Sequence, residues 1–210
     1  MDFRNGASHN AVNLPNLITL SRIPLLFLIV ACLFMPWRGA AALAFILFIV
    51  GAVSDWLDGY LARRYGLISN FGKLMDALTD KIFMLGLFVA LLVLGVFEPW
   101  TLAALFAVLL ITAREFMITG LRLLAASRGV VLAAEKSGKI KTVFQLLSAG
   151  VLLFGHFLAH DLGSWPGAGV VTTFMVSGGV LFGLATLLTV MSGTGYLIKY
   201  WHLMREDIVV

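Results

Sequence analysis

The chain has 210 residues, of which 60% are hydrophobic and 12% are charged, and its formal net charge is +4. Soluble domains usually carry about 25% charged residues, so this composition excludes a chain that covers itself with a polar surface. A bilayer must solvate much of it. The length suits one domain, and we expect residues 1–210 to form a single membrane domain.

Six apolar segments are predicted to span a membrane as helices, since a spanning helix needs roughly 20 mostly apolar residues. They run over residues 14–35, 39–64, 73–96, 99–126, 139–160 and 170–199. Residues 1–12 are polar and lack the apolar core of a cleaved signal peptide, so we expect a short cytoplasmic segment there. The predicted fold class is all-α, a polytopic membrane protein with six transmembrane helices.

The basic residues are distributed very unevenly between the two sides of this arrangement. An even number of spans places both termini on one side, and that side holds all of the 15 lysines and arginines except Arg38. Lysine and arginine concentrate in cytoplasmic loops, so both termini are predicted to face the cytoplasm. Trp37, Trp100 and Trp165 fall at the opposite ends, where interfacial aromatic residues are common.

Gly179 and Gly183 lie four residues apart in the last predicted span. Small residues at this spacing allow two membrane helices to approach each other closely. We therefore expect these two glycines to form a helix-packing surface.

Four aspartates flank the turn between the second and third spans, in the segment SDWLDGYLARRYGLISNFGKLMDALTDK. Asp55 and Asp58 are three residues apart and share one stripe of the second helix. Asp76 and Asp80 are four residues apart and share one stripe of the third. The turn between them is short, so the helices should be antiparallel neighbours whose carboxylates converge at one depth.

Four carboxylates at one site need cations to neutralise them. Carboxylate oxygens are hard ligands that suit Mg²⁺ or Mn²⁺ better than Zn²⁺. Asp55, Asp58, Asp76 and Asp80 are therefore predicted to bind divalent metal ions. Acids in a membrane are also typical of a proton or cation pathway, so a transporter remains an alternative at this point.

Glycines and a basic residue accompany these acids. Gly59 and Gly72 leave space in which a bulky group can approach the backbone. Arg63, one turn after Gly59, can offer its guanidinium to a phosphate. Metal ions, carboxylates and arginine together indicate phosphoryl-type chemistry, which a transporter would not need.

The pattern resembles the signature of the CDP-alcohol phosphatidyltransferase family. It reads Asp55-x-x-Asp58-Gly59-x-x-Ala62-Arg63, then eight residues, then Gly72-x-x-x-Asp76-x-x-x-Asp80, and all eight fixed positions agree. The resemblance extends over most of residues 13–145. It implies a six-helix membrane enzyme, usually a homodimer, whose active site faces the cytoplasm and holds two divalent cations.

The resemblance also implies a role for each matching residue. Asp55, Asp58 and Asp76 would bind the two cations, while Asp80 would lie at the metals and act as the general base. The donor would be CDP-diacylglycerol. Its implied contacts are Gly59, Arg63, Ser69 and Gly72, together with Asn16 and Thr19 in the segment NLPNLIT of the first span.

A second stretch is similar to the phosphatidylglycerophosphate synthase branch of that family. It comprises REFMITGLR from Arg114 to Arg122 and GKIKT from Gly138. The acceptor of that branch, glycerol 3-phosphate, carries a dianionic phosphate that a basic pocket can bind through charge-assisted hydrogen bonds. The predicted acceptor contacts are Arg114, Arg122, Lys139 and Lys141, while Lys73 and Lys81 either serve the same phosphate or offset the carboxylates.

The resemblance thus implies an enzyme that makes phosphatidylglycerophosphate and CMP, and we expect no nucleic-acid partner. Chemistry that faces the cytoplasm, without an organelle signal, favours a bacterial inner membrane. Another acceptor is one alternative, such as inositol phosphate, serine or a second phosphatidylglycerol. Serine needs no basic pocket of this size, whereas inositol phosphate needs the same arginines. A divalent metal-ion carrier is the alternative outside the enzymes, and it needs neither Arg63 nor the glycines.

Overall fold

The computed structural model describes residues 14–65, 70–130, 132, 136–163 and 165–201, and the predicted segment 1–12 lies outside them. The described residues form six helices, α1 (Leu14–Leu33), α2 (Ala40–Tyr65), α3 (Asn70–Val93), α4 (Thr101–Ser127), α5 (Lys136–Asp161) and α6 (Ala168–Lys199). No predicted boundary differs from these by more than three residues. The all-α class is confirmed.

Four helical segments within the described ranges are long and apolar enough to cross a membrane, namely Ala40–Leu57, Thr101–Ser127, Ile140–Asp161 and Ala168–Lys199. α1 adds a shorter apolar stretch, and the first half of α3 carries charged residues such as Asp76, Asp80 and Lys81. Large side chains such as Phe27 and Leu102 are more than two-thirds exposed, as expected where lipid is the solvent. The chain is thus an integral membrane protein by length and composition of its helices.

α3 is central to the packing of the helices, because it contacts α1, α4 and α5. α1 packs against α2 and α3, α2 packs against α5, and α5 has its largest contact with α6. α3 also contacts α4 and α5, and α4 packs mainly against α6. The main apolar core contains Ile29, Phe48, Leu87, Leu91 and Leu152.

A second, smaller apolar cluster fastens α4 to α6 near the end of α4. It consists of Ile118, Leu121, Ala125, Leu132 and Tyr196. Burial of these side chains fixes the spacing of the two helices around Arg122, one to three turns after Arg114 and Glu115.

α3 and α4 end in the same way, at a glycine with positive φ. Gly129 has a φ of 76°, and the N–H groups of Gly129 and Val130 donate to the carbonyls of Ala126 and Ala125 at 3.0 and 2.9 Å. This is the Schellman arrangement, which requires a residue without a Cβ at the left-handed position. Gly95, with a φ of 72°, ends α3 similarly.

The predicted packing surface at Gly179 and Gly183 is wrong for contacts within the chain. A Cβ added to either glycine would meet nothing within 4 Å, and both residues line an apolar cavity of about 450 Å³ between α4 and α6. The close approach occurs at Gly178 instead, where an added Cβ would lie 2.6 Å from Leu152 of α5. Which glycine of α6 contacts α5 depends on the rotation of α6 about its axis, and residue spacing alone does not predict this rotation.

Candidate functional site

One arginine of α1 joins the aspartates of α2 and α3. Nη1 of Arg22 lies 2.5 Å from Oδ1 of Asp55, and Nη2 lies 2.9 Å from Oδ1 of Asp76. The side chain of Arg22 is 2% exposed, whereas those of Asp55 and Asp76 are 47% and 55% exposed. A buried cation of α1 thus holds two half-exposed carboxylates together. Among the described residues, α2 and α3 are not the close neighbours that the short turn predicted; each packs mainly against α1, so the acids meet across Arg22.

Asp80 lies one turn beyond Asp76 on α3 and is less exposed than Asp55 or Asp76. Its carboxylate interacts electrostatically with both of those aspartates, and also with Arg22 and Lys141. Asp80 is therefore within electrostatic reach of both the aspartate pair and Lys141 of α5.

The donor set fits a hard divalent cation, because Asp55 and Asp76 already converge on a single cationic group and stay accessible to a further cation. Carboxylate oxygens are the ligands that Mg²⁺ and Mn²⁺ prefer. Among the described side chains, no three carboxylate, imidazole or thiol groups gather closely enough to hold a metal ion by themselves. The side chain of Asp58, the fourth predicted ligand, lies outside the described part of the chain.

The residues predicted to contact the donor are only partly described. Gly59 is on α2, near its end, and Gly72 is in the first turn of α3, so both flank the turn beside the aspartates. Thr19 is buried on α1, three residues before Arg22. Ser69 and the side chains of Asn16 and Arg63 lie outside the described residues.

A cavity of about 410 Å³ adjoins Asp80 and is walled by α3, α4, α5 and α6. Arg114, Arg122 and Lys141 all line this cavity together with Asp80. The structure thus brings together three of the four basic residues predicted to bind the acceptor phosphate. The side chain of Lys139, the fourth, is not among those the structure describes.

A glutamate that the sequence analysis did not select lies at the centre of these cations. Oε1 of Glu115 accepts hydrogen bonds from Lys141 and, at 3.0 Å, from Arg114. Oε2 of Glu115 lies 4.0 Å from Nζ of Lys81. Glu115 is 9% exposed, so it acts as a buried anion around which three cations are arranged.

Lys81 belongs to this cavity and not to the aspartate pair. Its ammonium donates a hydrogen bond to Oγ1 of Thr119 on α4 and lines the same cavity as Arg114. Both roles considered for Lys81 stay open, because Lys81 lines the cavity and also interacts electrostatically with the carboxylate of Asp80.

Two residues of this site carried a signal that was available in the sequence. Arg22 is a charge within an otherwise apolar span, and such residues are functional by default. Glu115 directly follows Arg114 in the middle of α4, and an acid next to an arginine is easily taken for a local ion-pair partner. Its partners Lys81 and Lys141 belong to other helices, so only the fold reveals its role.

Comparison with known proteins gives consistent matches along the chain. Residues 12–191 match the family model described as CDP-alcohol phosphatidyltransferase. A Bacillus subtilis (strain 168) protein named CDP-diacylglycerol--glycerol-3-phosphate 3-phosphatidyltransferase is 38% identical, over 93% of this chain and 98% of that protein. A Rickettsia felis protein of the same name is 30% identical, over 88% of this chain and 93% of its own length.

Proposed function

The chain belongs to the CDP-alcohol phosphatidyltransferase family, and we propose accordingly that it transfers the phosphatidyl group of CDP-diacylglycerol to glycerol 3-phosphate. The products are phosphatidylglycerophosphate and CMP, as in phospholipid biosynthesis. The names of the Bacillus and Rickettsia relatives support this choice of donor and acceptor.

The cavity beside Asp80 is the observation that carries the proposal. Asp80 lines the same cavity as Arg114, Arg122 and Lys141, next to the aspartates that Arg22 holds together. An alcohol that bears a phosphate fits this arrangement, because its phosphate can bind the cations while its hydroxyl reaches the carboxylate.

The donor would bind on the side of the four aspartates. Asp55, Asp58, Asp76 and Asp80 would hold two divalent ions, Mg²⁺ or Mn²⁺. When bound, such ions offset the negative charge of the diphosphate and make CMP a better leaving group. The cytidine diphosphate would contact the residues assigned to it above, namely Asn16, Thr19, Gly59, Arg63, Ser69 and Gly72.

The acceptor would react from the cavity. Arg114, Arg122, Lys139 and Lys141 would bind the phosphate of glycerol 3-phosphate, and Asp80 would accept the proton of its 1-hydroxyl group. The deprotonated oxygen would form the new bond to the phosphatidyl phosphorus. The bond between this phosphorus and CMP would break, and CMP would leave with the electron pair. We favour this direct displacement over a covalent intermediate.

The remaining features follow from the charge asymmetry and the family. All six helices would span the membrane as one domain over residues 1–210, with both termini and the active site on the cytoplasmic side. The molecule would be a homodimer in a bacterial inner membrane. The bacterial origin of the similar proteins supports the last point.

Transfer of radiolabel from glycerol 3-phosphate into lipid tests the function directly. Purified protein in detergent would be given CDP-diacylglycerol and Mg²⁺, with inositol phosphate, serine and phosphatidylglycerol as competing acceptors. We expect labelled lipid from glycerol 3-phosphate alone, released CMP in equal amount, and loss of both on addition of EDTA.

The same assay separates the alternatives. Transfer to inositol phosphate in place of glycerol 3-phosphate would keep the reaction and change the acceptor. No transfer to any alcohol, together with Mn²⁺ uptake into proteoliposomes, would instead identify a metal-ion carrier.

A further inference from the structure

Arg114 is held between its own helix and α6. Its Nη1 donates to Oε1 of Glu115 at 3.0 Å, and its Nη2 donates to the hydroxyl of Ser192 on α6 at 3.2 Å. The side chain of Arg114 is 13% exposed. Two contacts from different helices therefore fix the plane of the guanidinium where it lines the cavity beside Asp80.

The stem of the same arginine lies directly over Gly193. A Cβ added to Gly193 would lie 2.5 Å from Cγ of Arg114 and 3.2 Å from its Nε. Cγ is near the backbone of Arg114, so a change of the outer torsions alone does not relieve such a contact. The lack of a side chain at Gly193 is what gives this conformation of Arg114 its room.

α6 is anchored at this level independently of the arginine. Tyr196 is 3% exposed and packs in the cluster with Ile118 and Leu121 of α4. The backbone of α6 at Ser192 and Gly193, one turn before Tyr196, is therefore a fixed surface for Arg114. The last helix, in which the sequence offered no diagnostic residue, thus forms part of the cavity.

We propose that Ser192 and Gly193 form a seat on α6 that positions Arg114 to bind the phosphate of the acceptor. This rests on the proposed function, since it assumes that the cavity receives glycerol 3-phosphate. Neither seat residue needs to touch the substrate, and both are positioning residues that act through the guanidinium.

The matched pair Gly193→Ala and Gly195→Ala tests the seat. An added Cβ clashes with Arg114 at position 193 but meets nothing within 4 Å at position 195, and both changes add the same methyl group to one helix. We expect Gly193→Ala to raise the KM for glycerol 3-phosphate by about 10- to 100-fold, the range for a lost charged hydrogen bond. The KM for CDP-diacylglycerol should not change, and Gly195→Ala should resemble the wild type.

A double-mutant cycle shows whether Gly193 acts through Arg114. In an Arg114→Ala background, the further change Gly193→Ala should have no additional effect on the KM for glycerol 3-phosphate, because the group it displaces is gone. Additive effects, or an equal rise in the KM of both substrates, would overturn the seat. A wild type that transfers nothing to glycerol 3-phosphate would overturn the proposed function instead.

Ser192→Ala decides the matter if Gly193→Ala does not yield folded protein. It removes one hydroxyl without adding volume, and should raise the KM for glycerol 3-phosphate by about 3- to 10-fold with no change for the donor. Wild-type values for both substrates in Ser192→Ala would contradict the proposal.

Discussion

Asp80 is a carboxylate that faces two different electrostatic surroundings. The negative charges of Asp55 and Asp76 and the positive charge of Lys141 all act on it, and it lines the cavity together with Lys141. A group at such a boundary can accept a proton from an alcohol bound among the cations, while the donor is held among the aspartates. This position is what makes Asp80, and not Asp55 or Asp76, the residue we assign as the general base.

Asp80→Asn should separate binding from turnover. The amide keeps the size of the side chain but cannot accept the proton, so kcat should fall by about 10²- to 10⁴-fold. Mn²⁺ binding, measured by electron paramagnetic resonance, and binding of the CDP-lipid should persist, because Asp55, Asp58 and Asp76 would remain to hold the ions. Asp76→Asn is the comparison, and it should lose Mn²⁺ affinity as well as activity. Undiminished kcat in Asp80→Asn would remove its role as the base.

Arg122→Ala should affect the two substrates unequally. Arg122 lines the cavity assigned to the acceptor, and its Nη2 donates to the carbonyl of Leu132 at 3.4 Å. The KM for glycerol 3-phosphate should rise about tenfold or more, the scale of one charged hydrogen bond, with little change for the donor. Arg128→Ala, at the exposed end of the same helix, is the control.

An equal rise in both KM values for Arg122→Ala would contradict the acceptor site. A rise of the same size in Arg128→Ala would mean that general surface charge, and not the cavity, attracts the phosphate.

Sequence periodicity could predict the aspartates and not the glutamate, for a physical reason. A helix repeats every 3.6 residues, so Asp76 and Asp80 must share a stripe wherever the helix lies. The contact between Glu115 and Lys141 joins residues 26 positions apart on different helices. This contact depends on how α4 and α5 are rotated about their axes relative to each other. The periodicity of a single helix does not predict that rotation.

At the scale of elements, Arg22 is the side chain that ties α1 to both α2 and α3. The buried guanidinium of Arg22 and the two half-exposed carboxylates form a single cluster of ion pairs. Removal of one partner from such a cluster leaves the other charges without compensation. The three helices should therefore separate more easily at this end when the guanidinium is missing.

Arg22→Gln is expected to lower thermal stability most clearly when metal ions are removed. In EDTA, Asp55 and Asp76 would repel each other without a cation between them, and their hydrogen bonds from Arg22 would be lost; a hydrogen bond to a charged group contributes roughly 1.5–3 kcal/mol. Mn²⁺ should reduce the difference in melting temperature between Arg22→Gln and the wild type, because it neutralises the same carboxylates. Thermal unfolding in detergent would measure this, with Ser21→Ala, an exposed neighbour on α1, as the control.

Equal melting temperatures for Arg22→Gln and the wild type in EDTA would show that the cluster contributes nothing to the packing of α1.

The existence of all six helices could be predicted because an apolar run of this length has few alternatives in a membrane. Their ends were predictable to within three residues, and the glycines at positive φ explain where α3 and α4 stop. The packing surface at Gly179 and Gly183 could not be predicted correctly, because spacing identifies a stripe without saying which neighbour faces it. Gly178, one position away, is the residue in contact with Leu152.

For the whole molecule, the charge asymmetry predicts one orientation. Reporter fusions placed after Val210 and after Arg38 should give opposite results. A fluorescent protein should be active only at the first position, and alkaline phosphatase should be active only at the second. Active phosphatase after Val210 would reverse the orientation, and would place the aspartates on the outer face.

The position of α3, which carries residues of both the aspartate pair and the cavity, has a consequence for the order of substrate binding and reaction. Because α3 supplies Asp76 to the aspartate pair and Asp80 to the cavity, the proposed donor and acceptor would bind next to each other along one helix and could be held together. Initial-rate plots for the two substrates should then intersect, as for a ternary complex. Labelled CMP should not exchange into CDP-diacylglycerol until glycerol 3-phosphate is added. In a direct displacement, the bond between CMP and the phosphatidyl group breaks only when the acceptor is already bound.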